Sequence, residues 1–145
     1  MNISLNSINI KTSLVDGPGI RGVLFLQGCD FKCEGCHNAK TWDINAGKMY
    51  DVLELVNILE KNIPNKKITI SGGEPLLQKE SLLYLLENIK DWDICLYTGY
   101  SFDEVPKSIL YYLKYIKVGK YNKKLKTTTV PFIGSINQYF IYLKD

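Results

Sequence analysis

Arginine is nearly absent from this sequence of 145 residues, in which Arg21 is the only one. Direct readout of nucleic-acid bases and bidentate binding of phosphate rely on arginine, so direct nucleic-acid binding is not expected. Uninterrupted apolar runs are far shorter than the roughly 18 residues of a membrane-spanning helix. The N-terminus lacks the basic and then apolar pattern of a secretion signal. These absences predict a cytoplasmic protein without membrane association.

Proline and glycine, at 5 and 11 residues, are too few for a collagen-like chain or a chain dominated by linkers. Leucine, isoleucine, valine and phenylalanine together number 46, which is enough apolar material for a buried core. The sequence contains no repeat and no low-complexity tract. At this length, we expect residues 1–145 to form a single domain.

Charge is distributed unevenly, although the formal net charge is only +3. Residues 1–113 carry 11 basic and 14 acidic side chains, whereas residues 114–145 carry 7 basic and 1 acidic side chain. Six of these lysines lie between positions 114 and 126, with no acidic residue among them. We interpret this basic segment, residues 114–145, as a solvated face or as a surface that docks a protein partner.

Short apolar runs alternate along the chain with segments of helical periodicity. Residues 50–62 and 79–90 have apolar side chains at helical spacing, and Pro64 ends the first of these helices. A third helix is predicted over residues 103–114, with Pro106 in its first turn. The apolar runs predict strands at residues 21–27, 67–71, 93–97, 115–118 and 139–143. This order predicts an α/β protein built from parallel, right-handed βαβ units.

Three chemically unusual loops follow the predicted strands. Gly28 and Cys29 follow the first strand, Ser-Gly-Gly-Glu at residues 71–74 follows the second, and Thr-Gly-Tyr at residues 98–100 follows the third. Ligands of parallel sheets bind beyond the carboxyl ends of the strands. We therefore expect the three loops to lie together on one rim of the sheet.

Three of the four cysteines, Cys29, Cys33 and Cys36, form the pattern C-x3-C-x2-C. Three thiolates on one short loop can hold an iron–sulfur cluster, and a cubane cluster normally takes four, so one iron would remain open. The alternatives are a zinc site with His37 as fourth ligand, a redox-active dithiol, and buried thiols without a function. Cys95 lies in an apolar run and is predicted to be a core thiol.

Several motifs occur together with the cysteine pattern between residues 16 and 138: Asp16-Gly-Pro-Gly-Ile-Arg21, Gly28-Cys-x3-Cys-x-Gly-Cys-His-Asn38, Thr41-Trp42, Ser71-Gly-Gly-Glu-Pro-Leu76, Thr98-Gly-Tyr100 and Asn137-Gln138. With these motifs the chain resembles the radical S-adenosylmethionine (radical-SAM) superfamily, and within it the activating enzymes of anaerobic ribonucleoside-triphosphate reductase. It departs from the common pattern of these enzymes at His37, where tyrosine is frequent, and at Glu74, where aspartate is frequent.

The resemblance implies a partial, open βα barrel of parallel strands, of the radical-SAM type, because the chain is too short for a closed (β/α)8 barrel. It implies that Cys29, Cys33 and Cys36 hold a [4Fe–4S] cluster whose open iron binds S-adenosylmethionine. Asp16 or Arg21 is expected to touch the cofactor or a partner peptide, unless this segment is simply a turn. The residues predicted to bind the cofactor are Gly35, His37, Ser71, Gly72, Gly73, Glu74 and Thr98, with Glu74 as acceptor for its ammonium group.

The function implied by the resemblance is that of a radical-SAM activase. Such an enzyme cleaves S-adenosylmethionine reductively at the cluster. It then abstracts hydrogen from a glycine in the large catalytic subunit of anaerobic ribonucleotide reductase, which becomes a glycyl radical. The implied electron donor is a flavodoxin or a ferredoxin, and no catalytic side chain is expected beyond the cluster and cofactor. The alternatives are an activase of the pyruvate formate-lyase type and a non-catalytic zinc-binding module.

Overall fold

The computed structural model describes residues 1–13, 16–31, 33–36 and 39–144, with the backbone alone for residues 9–13. Its strands are β1 (Asn2–Ser13), β2 (Arg21–Leu26), β3 (Lys48–Asp51), β4 (Lys67–Gly72), β5 (Asp93–Tyr97), β6 (Tyr115–Val118) and β7 (Tyr139–Tyr142). Its α-helices are α1 (Val52–Asn62), α2 (Lys79–Asn88) and α3 (Lys107–Leu110). None of the helices within the described ranges is long and apolar enough to cross a lipid bilayer.

All of these strands belong to one sheet, in the order β3-β1-β2-β4-β5-β6-β7. The four central strands, β2, β4, β5 and β6, run parallel, which confirms the predicted α/β class and its βαβ units. The outer strands β1, β3 and β7 pair antiparallel with their neighbours, so the sheet is mixed rather than wholly parallel. Of these three, only β7 was predicted.

Side chains of the central strands alternate between the two faces of the sheet, as strand geometry requires. Leu24, Ile70, Leu96 and Ile116 are fully buried on the face that packs with the helices. The opposite face, here called the inner face, carries a separate cluster of Cys95, Tyr97, Tyr115 and Phe140. In the register, Thr69 pairs with Cys95 and Tyr97 pairs with Lys117, so these side chains share the inner face.

Helix boundaries follow local chemistry. The carboxylate of Asp51 accepts a hydrogen bond from the Glu54 N–H at 3.2 Å and caps the start of α1, which ends just before Pro64. The third predicted helix is much shorter than residues 103–114. Val105 and Pro106 have extended ψ angles of 126° and 135°, so Pro106 caps α3 instead of lying in its first turn.

Arg21 has a structural position, which corrects the expectation that it touches the cofactor or a partner. Its side chain is 1% exposed, at the amino end of β2. The guanidinium donates to the backbone oxygens of Pro18, Ile68 and Asp93 at 2.7, 3.0 and 2.9 Å, and to the Asp93 carboxylate at 2.8 Å. Arg21 therefore ties the amino ends of three parallel strands together, at the end of the sheet opposite the rim with the unusual loops.

Candidate functional site

The carboxyl ends of the parallel strands open into one cleft, here called the cysteine cleft, which contains about 560 Å³ of open space. The three unusual loops meet there, as expected from strand direction. Eight of the ten predicted site residues line it: Cys29, Cys33, Cys36, Ser71, Gly72, Gly73, Glu74 and Thr98. Gly35 is not part of the lining; its φ is 74°, and a Cβ atom there would lie against the Lys123 and Tyr121 side chains. His37 lies outside the described residues.

Backbone hydrogen bonds hold the start of the cysteine loop against two other segments. The Cys29 N–H donates to the Trp42 carbonyl at 3.1 Å, and the Glu74 N–H donates to the Gly28 carbonyl at 2.7 Å. A Cβ atom at Gly73 would overlap the Gly28 carbonyl group, so only glycine allows the two loops to approach this closely. The Gly-Gly pair therefore shapes the site by packing one loop on another.

Within the described part of the chain the three loop cysteines form no disulfide; they are partly exposed and line the same cleft. Burial raises the pKa of Cys33, and the neighbouring charges of Cys36 and Cys29 raise it further, whereas a hydrogen bond from the Tyr121 backbone lowers it. Three thiolates this close repel each other unless a cationic group lies between them. Among the described residues, no three His, Cys, Asp or Glu side chains are arranged as ligands of a single metal ion. A cluster distributes its thiolate ligands over different iron atoms, so this donor set fits an iron–sulfur cluster.

Cys95 is buried, as predicted, and burial raises the pKa of its thiol to about 12. Alkylation requires the thiolate, so we expect iodoacetamide at pH 8 to modify Cys29, Cys33 and Cys36 of the cluster-free protein while sparing Cys95. Peptide mass spectrometry before and after unfolding in guanidinium chloride checks this. Modification of native Cys95 as fast as Cys29 would contradict the buried position.

Glu74 connects the loop after β4 with the loop after β5. Its carboxylate is 3% exposed and accepts hydrogen bonds from the Leu76 N–H at 2.8 Å and the Gly99 N–H at 2.6 Å. The Thr98 hydroxyl lies 2.9 Å from both carboxylate oxygens. Burial raises the pKa of Glu74, and these hydrogen bonds partly offset the increase. The carboxylate thus fixes the relative position of two cleft loops, a role that the sequence did not indicate.

The first part of the basic segment lies over the cysteine loop. The Lys120 ammonium is 4.6 Å from the centre of the Phe31 ring, and the Lys123 ammonium is 3.9 Å from the Glu34 carboxylate. Gln138 holds this segment in place, since its amide donates to the Gly119 carbonyl at 2.9 Å. Lys120 and Lys123 of the basic segment therefore contact the cysteine loop. Only the rest of the segment remains a candidate surface for docking a partner.

Nine of the residues that line the cleft were not recognised as site residues in the sequence, among them Trp42, Tyr97, Lys117 and Gln138. Trp42 and Gln138 were noted only as parts of motifs. Tyr97 and Lys117 occupy inner-face positions near the carboxyl ends of β5 and β6. The sequence does carry a signal for Lys117, which lies between the buried residues Ile116 and Val118. Strand alternation places its side chain on the opposite face of the sheet.

Comparison with known proteins points to an iron–sulfur protein. A family model described as "4Fe-4S single cluster domain" matches residues 15–141. The chain is 37% identical over 140 residues to the anaerobic ribonucleoside-triphosphate reductase-activating protein of Haemophilus influenzae, covering 88% of this chain and 90% of that protein. It is 40% identical over 136 residues to the protein of the same name from Enterobacteria phage T4, covering 86% and 85%.

Two further similarities are more limited. The pyruvate formate-lyase-activating enzyme of Clostridium pasteurianum is 44% identical over 86 residues, which cover 56% of this chain and 36% of that enzyme. The crystal structure of QueE from Escherichia coli superposes with a TM-score of 0.59 at 19% identity, over 68% of this chain and 53% of that chain. At this identity the second similarity concerns the fold alone.

Together, the family match and the sheet with its cysteine cleft place this chain among the [4Fe–4S] proteins of the radical-SAM type. The alignments with the two activating proteins cover most of this chain and most of each relative, and this coverage defines the family within that class. The chain belongs to the family of anaerobic ribonucleoside-triphosphate reductase-activating proteins.

Proposed function

We propose that this protein activates anaerobic ribonucleoside-triphosphate reductase by removing a hydrogen atom from a glycine of its large catalytic subunit. The observation that carries the proposal is the meeting of two loops in one cleft. The three cysteine thiols and the Gly-Gly-Glu loop at residues 71–74 both line the cysteine cleft, at the carboxyl ends of parallel strands. Family membership supplies the reaction class, since the relatives that align over most of their length are named activating proteins of that reductase.

Cys29, Cys33 and Cys36 would hold the [4Fe–4S] cluster, and S-adenosylmethionine would bind beside it. Together these groups supply the one-electron chemistry that removes the hydrogen atom. The protein positions the cluster and S-adenosylmethionine and limits their exposure to solvent. The residues assigned to the cofactor are Gly35, His37, Ser71, Gly72, Gly73, Glu74 and Thr98, of which the last five line the cleft. The Trp42 indole N–H and the Tyr97 hydroxyl in the same cleft are buried with no hydrogen-bond partner among the described residues, which supports a ligand there.

Shielding of the cleft is the second contribution of the chain. Phe31 packs edge-on against Tyr100, with ring centres 4.9 Å apart, and the Lys120 ammonium lies over the Phe31 ring, 4.6 Å from its centre. These side chains shield part of the cysteine loop, whose thiols are only partly exposed. Reduced access of water limits side reactions of reactive species. An acidic electron-transfer protein, such as a flavodoxin or a ferredoxin, would approach the exposed lysines Lys124 and Lys126, which follow Lys120 in the chain.

An activase of the pyruvate formate-lyase type is the second candidate, because a protein of that name shares 86 aligned residues with this chain. Those residues span only 36% of that enzyme, whereas the reductase activators are covered to 85% and 90%. Coverage therefore favours the reductase as the partner. The match to a 4Fe-4S family likewise favours a cluster over the zinc-binding alternative.

The experiment that tests the proposal is electron paramagnetic resonance of the partner reductase. The reductase is incubated without oxygen with this protein, dithionite and S-adenosylmethionine. We expect a glycyl-radical doublet that is absent when S-adenosylmethionine is omitted, together with release of 5′-deoxyadenosine. A doublet on a formate-lyase homologue alone would support the second candidate. Stoichiometric zinc without cofactor cleavage would reject both.

A further inference from the structure

The segment that follows β6, residues 119–138 and here called the cover loop, is closed by a buried glutamine. Gln138 is 6% exposed, and its side-chain oxygen accepts hydrogen bonds from the Gly134 N–H at 2.8 Å and the Ser135 N–H at 3.3 Å. Its amide group donates to the Gly119 carbonyl at 2.9 Å. One side chain therefore satisfies three backbone groups and joins the two ends of the loop.

The backbone of Tyr121, within the cover loop, is held on both sides. The Lys120 carbonyl accepts a hydrogen bond from the Asn137 side-chain amide at 2.9 Å. The Asn122 N–H donates to the Ser135 hydroxyl at 3.1 Å. Because the neighbouring peptide groups are bonded to the far end of the loop, the orientation of the Tyr121 N–H depends on how that loop is closed.

This N–H group meets the cysteine loop. It donates to the Cys33 sulfur, and both residues line the cysteine cleft. The two loops pack closely, since a Cβ atom at Gly35 would lie 3.5 Å from the Tyr121 ring and 3.2 Å from the Lys123 side chain. A cysteine that holds iron is a thiolate, and an ionised sulfur is a stronger acceptor for this N–H than a thiol.

We infer that the Tyr121 N–H raises the reduction potential of the [4Fe–4S] cluster through its hydrogen bond to Cys33, and that Gln138 is the positioning residue that keeps the donor there. The inference rests on the proposed function, because it concerns the cluster that the three loop cysteines would hold. Reduction adds one negative charge, so the ligand sulfurs accept hydrogen bonds more strongly in the reduced state. A fixed donor therefore favours that state, and hydrogen bonds to the sulfurs are among the features that set cluster potentials.

Two substitutions at one position isolate the hydrogen bond. Y121P removes the backbone N–H together with the ring, whereas Y121A removes the ring and keeps the N–H. Loss of the ring, and any water that it admits, is therefore common to both variants. The full-length proteins are reconstituted with iron and sulfide without oxygen. The potential is then measured by redox titration followed by electron paramagnetic resonance, without S-adenosylmethionine.

Q138M tests the positioning role without a change at residue 121. Methionine keeps the approximate length of the side chain and makes none of its three hydrogen bonds. Q78M is the matched control. The Gln78 side chain likewise accepts from a backbone N–H, that of Ser4 at 2.8 Å, and donates to the carbonyls of Ser4 and Gln27 at 2.9 and 3.0 Å. It joins β1 to the end of β2 and does not contact the cover loop through these bonds.

Relative to Y121A, we expect Y121P to shift the one-electron equilibrium about threefold to tenfold toward the oxidised cluster, a fall in potential of about 30–60 mV. Q138M should shift it in the same direction by about threefold relative to the wild type, and Q78M should stay within about 1.5-fold. Equal potentials in Y121P and Y121A would overturn the inference. An unchanged potential in Q138M, or an equal shift in Q78M, would overturn the positioning role of Gln138.

Failure of the proposed function would be seen separately. A wild-type protein that assembles the cluster and shows the expected differences in potential, but releases no 5′-deoxyadenosine, would reject the proposed function and leave the hydrogen bond to Cys33 in place. A wild-type protein that takes up no iron would reject both.

Discussion

Replacing Cys33 with alanine is expected to abolish cluster assembly and cofactor cleavage. The side chains of Cys29, Cys33 and Cys36 line one cleft, and the two thiols left in C33A are too few to hold a cubane cluster. After anaerobic reconstitution, iron should fall from about four per chain to below about one, and the broad absorption near about 400 nm should disappear. Iron analysis, absorption spectroscopy and chromatography of 5′-deoxyadenosine measure these outcomes.

C95A provides the matched control for this experiment. Cys95 lies on the inner face of the sheet, where it is fully buried between Thr69 and Tyr115 in the register, and it does not line the cysteine cleft. The C95A protein should keep its iron and its cofactor cleavage. Equal loss of iron in both variants would contradict the assignment of the three loop cysteines as ligands.

The central part of the fold follows from local sequence. Strands β2, β4, β5 and β6 coincide with apolar runs because their alternate side chains fill the core beneath the helices. Strands β1 and β3 were not predicted. The pairing of β1 with β2 shifts register between Leu5 and Ser7, and β3 is a partly exposed edge strand with no buried residue. Neither strand has the regular apolar pattern from which an isolated sequence indicates a buried strand.

The candidate site was predictable where its chemistry is carried by motifs within single loops. The cysteine loop, residues 71–74 and Thr98 were recognised in this way, and strand direction placed them on one rim. Contacts between distant segments were not predictable. The cover of the cysteine loop by Lys120 and Lys123 joins residues roughly ninety positions apart. The position of Arg21 was not predictable for the same reason. Its ion pair with Asp93 forms only once three strands pack side by side.

Replacing Glu74 with glutamine should both destabilise the protein and weaken cofactor binding. The carboxylate accepts from the Gly99 and Leu76 N–H groups on opposite oxygens, so an amide must turn its NH2 group toward one of these donors. A buried donor left without an acceptor lowers the free energy of unfolding by about 1–3 kcal/mol. The loop after β5 then loses its attachment to the loop after β4, and we expect the Kd for S-adenosylmethionine to rise at least about tenfold.

E104Q separates the effect of burial from the effect of hydrogen bonding. The Glu104 carboxylate accepts from the Ser101 N–H at 3.1 Å and the Ser101 hydroxyl at 2.8 Å. It thus pairs with the same kinds of donor as Glu74, with one backbone amide instead of two, but in an exposed turn. Water can replace those bonds, and E104Q should therefore leave cofactor binding unchanged and stability nearly so. Chemical denaturation and equilibrium dialysis with S-adenosylmethionine measure both quantities. If E74Q and E104Q change cofactor binding and stability equally, the result contradicts the role of Glu74. Its buried carboxylate would then not control cofactor binding by joining the two cleft loops.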